Sequence, residues 1–487
     1  MTPTRYSYLF LALAAFIACS LLSASYFPYL GITLSIILLA LTIYYFTVKK
    51  SRWFLVACIF TLLFAFFVMY RANELLTFLN IVAAIYFGSL MLTSSETSSF
   101  IDVLAAPLNA FFSAIKRKFS YQLRESTSKR SIKQLSRWKN ATIGIGISVL
   151  LLLIIVPLLS AANPIFKQWV DASTDFLFGP TVFKWISDNV VVIVRVAVGF
   201  IALVFILPRF IIFSNEKKQP FLLNLIPSLP LLIPKVVVAS VVVIFFISQL
   251  QLYLAGPEML RQLGYTNSQL TREVFAQLSL VGAILLFLMY NDLQRETSAK
   301  ITTYILLIET VFLTLIAFKS VFDYSSMWGF TYARLWGFAG VMWMVGALAS
   351  FLYYFHRELK TTFFVRSIVI LSGAVLLMVN VANFDRLIAT YRPSTSPGII
   401  DYIYLRRLSP DSKYYRELYD RAVEVSQITN DSDPVDKDDF SFRLMTVEKI
   451  RYLKDRYQHI DWRSFNYSEY REYWDVKDLD IANIRTT

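Results

Sequence analysis

Charge is scarce in this chain. Asp, Glu, Lys and Arg make up 17% of its 487 residues, against roughly a quarter in soluble globular proteins. Hydrophobic residues reach 56%, so an ordinary water-soluble fold is excluded for most of the length. Cysteine is scarcer still. Cys19 and Cys58 both lie in apolar segments, which leaves none for a disulfide framework in the C-terminal region and no Cys/His pattern of metal-ligand type. The two histidines, His356 and His459, have no acid or cysteine pattern around them. Phosphate loops, dinucleotide-binding glycine patterns and Gly-x-Ser-x-Gly elbows are missing, which argues against an ATP-driven pump encoded in this chain alone. The expectation is no catalytic residue, no metal and no cofactor.

What is present is one apolar run after another, up to about residue 382. Each is about 17–23 residues long, enough to cross a hydrocarbon core of roughly 30 Å. About eleven spans are expected, at roughly 7–27, 30–48, 53–70, 75–92, 140–161, 190–213, 235–255, 272–290, 300–319, 332–354 and 363–381. The first, with Arg5 ahead of it and Ser23-Ala24-Ser25 after it, resembles a cleavable signal peptide. It is read as an uncleaved span because the next one follows within a few residues. The expected fold is all-α: a polytopic helical bundle with a small, mostly helical extracytoplasmic domain at the C-terminus. Residues 1–139 form the first four spans and a basic loop, 140–381 a seven-span core, and 382–487 the soluble tail.

The net charge of +13 would suit nucleic acid, but its placement does not. The tail carries slightly more acid than base, so the basic excess lies in short loops, where it sets orientation. Lys49-Lys50-Ser51-Arg52, Lys116-Arg117-Lys118, Lys217-Lys218, Arg295, Arg357 and Lys360 all fall on one side if the N-terminus is cytoplasmic. An odd number of spans then puts the tail outside. Residues 100–115 contain Asp102, Pro107 and Asn109 and are expected to lie along the cytoplasmic interface, since a crossing there would invert every later loop. Prolines 227, 230 and 234 argue against a continuous helix over 221–234.

In the tail, Ser409-Pro410-Asp411 predicts a capped helix start, with Tyr414, Leu418, Ala422 and Val425 at helical spacing. A second amphipathic helix is predicted over 442–457, joined by an acidic linker at 430–439 that lacks the pattern of a calcium loop.

Two charges sit inside apolar runs, Arg195 and Glu309, where they are costly. Snorkelling of the arginine with a neutral or hydrogen-bonded acid, a structural ion pair, and a proton or ion relay all stay open.

Short motifs carry a further signal: Ala162-Asn163-Pro164-Ile165-Phe166, Gly264-Tyr265-Thr266 with Thr271-Arg272-Glu273-Val274-Phe275, Trp328-Gly329-Phe330-Thr331-Tyr332-Ala333-Arg334-Leu335, Asn383-Phe384-Asp385 and Asp401-Tyr402-Ile403-Tyr404-Leu405. In this order, over roughly residues 140–420, they resemble a bacterial polytopic membrane protein family labelled domain of unknown function 4173. The resemblance implies a multi-pass protein of the bacterial cytoplasmic membrane and brings no established activity. Loop charges place the same motifs at outer span ends. A candidate outer cluster of Asn163, Arg272, Asp323, Thr331, Arg334 and Asp385 is therefore expected, either as a site for an anionic headgroup or partner, or as interface anchors and helix caps.

The leading expectation is a non-enzymatic interaction, assembly or sensing platform, with the lipid bilayer and a protein at the extracytoplasmic face as partners. Nucleic acid is not expected, and the oligomeric state is open. The alternatives are a small-solute or ion transporter and a membrane-embedded transferase acting on a lipid-linked substrate.

Overall fold

A computed structural model describes residues 5–24, 26–47, 50–93, 103, 106–107, 137–178, 232–262, 267–290, 297–359, 361–396, 399–428 and 437–484. Arg195, the span at 190–213, the basic stretches at 116–136 and 217–218, and most of 100–115 and 221–234 lie outside them. The described residues are almost wholly helical, with one short hairpin, Ser394–Ser396 paired antiparallel with Ile399–Ile400. Among the described residues, eight helices are long and apolar enough to cross a membrane. Of the other expected spans, the first is a 17-residue helix at the lower limit of length. In that at 272–290, the described apolar stretch is Gln277–Met289. The chain divides into two compact units.

The first unit comprises residues 1–125, 327–336 and 353–487. Its bundle contains α1 (Arg5–Leu21), α2 (Tyr29–Phe46), α3 (Arg52–Tyr70) and α4 (Glu74–Thr93). Small and hydroxylated residues face inward here, because helices in lipid associate through close packing and polar ties rather than hydrophobic exclusion. Ala14 and Ala18 are buried on α1 while Leu13, Phe16 and Ile17 are exposed. Ser35 donates to the Ala18 carbonyl (2.9 Å) and Thr33 to the Ala65 carbonyl (2.8 Å). Ser51 caps α3, accepting from Phe54 N. Gly373 is packed so tightly that a Cβ there would lie 2.7 Å from Phe60 and 2.8 Å from Phe87.

The helix numbered α11 below (Thr361–Ala382) closes this bundle, and the tail follows it. Residues 22–28, 71–73 and 329–331 share one end with the tail. Lys50, Arg52 and Arg357 mark the opposite ends of their helices, the arrangement that loop charge predicts. Of residues 100–115, the described Val103, Ala106 and Pro107 are helical, and the Val103 carbonyl accepts from Tyr86 Oη at 3.0 Å.

The second unit comprises residues 126–326 and 337–352. It contains α5 (Arg137–Ala162, with Pro157 inside), α6 (Pro164–Phe178), α7 (Leu232–Gln262), α8 (Asn267–Tyr290) and most of α9 (Thr297–Trp328) and α10 (Tyr332–His356). Phe166 packs edge-on against Phe245, and Phe246 against Phe312.

In the tail, α12 (Phe384–Thr390), α13 (Tyr402–Leu405), α14 (Tyr415–Ile428), α15 (Lys437–Gln458) and α16 (Tyr467–Val476) form a small helical domain. Its core is Leu405, Leu408, Leu418, Ala422, Ile450, Leu453 and Val476. Both predicted helices are present, with the start of the first corrected. Ser409 caps only a 3-10 turn, Pro410–Ser412, and Lys413 then takes a left-handed conformation before α14 begins. The reason is that Asp411 is engaged elsewhere.

Candidate functional site

Where the tail meets the bundle of the first unit, polar side chains are buried rather than exposed. The tight connection between α3 and α4, residues 71–73, leaves backbone N–H groups without helical partners. Asp411 supplies the acceptors: one carboxylate oxygen takes Ala72 N and Asn73 N, both at 2.9 Å. Its other oxygen lies 3.5 Å from Arg71 Nη1. Asn73 in turn caps α4, accepting from Leu76 N at 3.1 Å. An acid whose local sequence suggests the first turn of its own helix thus serves a turn some 340 residues away.

Asp385 is the second node and is fully buried. It accepts from Tyr332 Oη, from Asn73 Nδ2 (3.0 Å) and from Ser409 N (2.7 Å). Burial and the neighbouring Asp411 push its carboxyl up, and the bonds from Tyr332 and Ser409 pull it back. Asn383, left-handed at φ 53°, caps α12 and donates to the Asp411 carbonyl. Arg71 Nη2 reaches the Asn380 carbonyl, while Asn380 and Asn80 exchange two amide bonds of 2.8 Å between α11 and α4.

A third node involves the tail's own helices. Arg456 is 1% exposed and pairs with Glu469 (Nε–Oε2 3.1 Å) while donating to the Ser464 carbonyl. The rings of Tyr26, Tyr29, Tyr452 and Tyr457 surround the guanidinium at 5.3–6.0 Å. Beside it, Glu472 caps the chain at Tyr415 N (2.8 Å). Burial pushes the Glu472 carboxyl up to about 7.

That shift has a testable sign. Between pH 4.5 and about 7 the folded tail holds a proton on Glu472 that the unfolded chain has released. Stability is therefore fullest below this window and falls as pH rises through it, by up to about 3 kcal/mol. Burial moves Glu469 in the same direction against the pull of Arg456. Thermal unfolding of the full chain at pH 5 and pH 7.5 is expected to show a lower midpoint at pH 7.5, and Glu472→Gln to reduce the difference. An identical pH response in that variant would refute the assignment.

Of the six expected outer residues, three meet here. Asp385 is described above. Thr331 hydrogen-bonds the Tyr404 side chain, whose Oη also accepts from Tyr332 N (2.8 Å). Arg334 turns back on its own connection, donating from Nη1 to the Trp328 carbonyl at 2.8 Å and to that of Gly329. Gly329 has φ +70° and lies against the Arg392 carbonyl, where a Cβ could not fit.

The other three belong to the second unit. Asn163 is fully buried, caps α6 through Ile165 N and Phe166 N, and donates to Ser248 and Gln249 of α7. Asp323 is exposed and pairs with Lys319 one turn away on α9. Arg272 lies on α8, and its side chain is outside the described set. Nη1 of Arg334 is thus held by backbone carbonyls of its own connection.

The expected Arg195–Glu309 pairing falls on an undescribed residue. Glu309 is 4% exposed on α9, and among the described residues nothing hydrogen-bonds either carboxyl oxygen.

Arg71, Asn73, Asn80, Asn380 and the Arg456–Glu469 pair are not expected from the sequence, and Asp411 is expected only as part of a helix start. A search for charges deep in apolar runs passes over asparagine and over two- or three-residue connections. The signal available was Asn80 and Asn380, two amides within otherwise apolar spans.

No characterised protein and no solved structure matches this chain. A family model described as Domain of unknown function (DUF4153) matches residues 57–415. This corrects the resemblance drawn from the motifs. The match also begins in α3, so it takes in Arg71, Asn73 and Asn80 together with Asp385 and Asp411. The chain is an apolar, multi-helix membrane protein, and it belongs to the DUF4153 family.

Proposed function

We propose that this protein is a non-enzymatic platform of the bacterial cytoplasmic membrane, with the N-terminus inside and the tail outside, whose docked tail presents a surface to a protein partner. The observation that carries the reading is the Asp411 clamp. A mobile appendage would not bury a carboxylate on a membrane-proximal turn, since doing so desolvates Asp411 and Arg71 together. What the clamp holds in place includes an exposed apolar set on α15, Phe440, Leu444 and Met445, of the kind that marks interaction surfaces.

Two measurements test this. In a chain lacking Cys19 and Cys58, Ala482→Cys is expected to react with an impermeant thiol reagent in intact cells. Reaction only after the membrane is opened would overturn the orientation. A photoreactive phenylalanine at position 444 is expected to form a discrete protein adduct that is lost when Phe440→Asp is added at unchanged expression. Lipid adducts alone, or an adduct indifferent to Phe440→Asp, would overturn the platform.

A second reading, transport of an ion or small solute, draws on the second unit. Buried Glu309 lies six residues along α9 from Thr303, which accepts from the buried Lys235 of α7 at 3.1 Å. The transferase reading gains less. The cavity of about 380 Å³ between α3, α4 and α11 is lined mostly by apolar and aromatic side chains, among them Phe64, Leu79, Tyr86, Phe87 and Val369, with Ser372 the one aliphatic hydroxyl.

A further inference from the structure

The lipid-facing side of α3 does not end where the helix ends. Leu55, Ile59, Leu63 and Phe66 are exposed at helical spacing along it, the aliphatic-to-aromatic stripe of a span facing hydrocarbon. Phe66 stacks on Tyr70 (centroids 5.4 Å, 25°), the last residue of the helix. Tyr70 stacks on Tyr467 of the tail (4.9 Å, 9°). From there the exposed face of α16 continues as Tyr470 and Trp474, 38% and 49% exposed, spaced three and four residues apart. Ser468, Glu469, Glu472 and Val476 of α16 are buried. One surface therefore runs from acyl-chain depth on a span to an aromatic helix face.

Hydrogen bonds fix the level of that face. Ser468 Oγ donates to the Tyr70 carbonyl (2.9 Å) and Asn466 Nδ2 to that of Arg71 (2.8 Å). Arg463 Nη1 donates to the Ser20 carbonyl in the last turn of α1 (3.1 Å). Exposed Trp462 is its neighbour. Segment 462–468 thus crosses the ends of two membrane helices, where hydrocarbon gives way to headgroups.

Tyrosine and tryptophan favour this layer because their rings prefer apolar surroundings while the hydroxyl and indole N–H need polar ones. Cations accompany them: Lys477 Nζ lies 3.6 Å from the Trp474 ring centre, and the Arg471 guanidinium lies over Tyr467. Arg463 is paired with Asp461, and Asp475 is exposed on the same helix, so the face is amphipathic rather than strongly basic. That composition suits a zwitterionic or mixed headgroup layer better than a purely anionic surface.

We propose that α16 is an interfacial anchor: Tyr467, Tyr470 and Trp474, with Trp462, seat the edge of the tail in the headgroup layer of the leaflet beside α1 and α3. The occupant of this face is the lipid surface itself, because the lipid that must cover Leu63 and Phe66 is continuous with it. The inference holds whichever side of the membrane the tail occupies, so it stands or falls independently of the platform reading.

The test uses the full chain in phosphatidylcholine nanodiscs carrying nitroxide-labelled lipid. The Trp474 signal is the difference between wild type and Trp474→Phe, a substitution that keeps an aromatic ring and so leaves the seat intact. A nitroxide near the headgroup is expected to remove more than about half of that component, and one near the chain end much less, as an interfacial depth requires. Trp462→Phe is expected to report the same order. If the Trp474 component is instead indifferent to both lipid probes and quenched by aqueous iodide, the anchor is wrong. Equal indifference to lipid and iodide, with the ring hidden in protein, also overturns it.

Discussion

Asp411→Ala is expected to unseat the tail from the bundle and to be among the most damaging single changes in the first unit. The substitution removes the carboxylate oxygen that accepts from both Ala72 N and Asn73 N of the 71–73 turn. It also leaves Arg71 buried beside Tyr70 without its carboxylate. Removing one partner of a buried charge pair costs about 3–5 kcal/mol, because the remaining charge stays desolvated. The Asp411 carboxylate also faces the Asp385 node through Asn73, so loss of the clamp loosens a second set of bonds. Asp411→Asn keeps an acceptor for the turn and is expected to lose less. Melting of the detergent-solubilised protein, followed by trypsin cleavage at Arg407 or Arg416, reads both effects. A wild-type midpoint and cleavage rate for Asp411→Ala would mean that the clamp contributes nothing.

Arg456→Met is the second large effect. Glu469 would remain in a site that excludes water, facing Tyr457 Oη and the rings that formerly surrounded a cation. A loss of about 3–5 kcal/mol is expected from the stranded carboxylate. The double variant Arg456→Met, Glu469→Gln is expected to recover a large part of it, since a buried pair replaced by neutral groups of similar size is often close to neutral in stability. The two changes are therefore non-additive by more than about 1 kcal/mol in a double-mutant cycle. Arg456→Lys should behave more like the methionine variant than like wild type, because one ammonium cannot reach Glu469, the Ser464 carbonyl and Tyr452 together. Additive losses would show that the pair is not coupled.

Both predictions concern residues whose long-range partners are not legible in the sequence, and the reason is physical. A span is legible because hydrocarbon imposes one requirement on every residue along it: about 20 consecutive apolar side chains with the backbone satisfied internally. Amphipathic helices are legible for a similar reason. Val447, Ile450, Leu453 and Tyr457 repeat at helical spacing and are buried on α15. Loop charges likewise place residues 22–28, 71–73 and the tail on one side, and the structure brings these segments together.

The clamp has no such signature. Asp411 in Ser-Pro-Asp reads locally as a first-turn acid at the positive end of a helix capped by Ser409, and Ser409 does cap the short turn there. Local propensity cannot reveal that a turn from the other end of the chain offers two orphan N–H groups to the same carboxylate. Only the tertiary structure could decide it, because the bonding capacity of Asp411 exceeds what its neighbours in sequence can use, and burial makes every unmet donor costly. The same holds for Arg456, whose helix position marks it as a solvated lysine-like residue until Tyr26 and Tyr29 close over it. Composition and periodicity, then, mark which segments are long apolar helices and which are amphipathic ones. Which buried charges meet where those two parts join was decided by contacts hundreds of residues apart, where proximity comes from packing and leaves no repeat in the sequence.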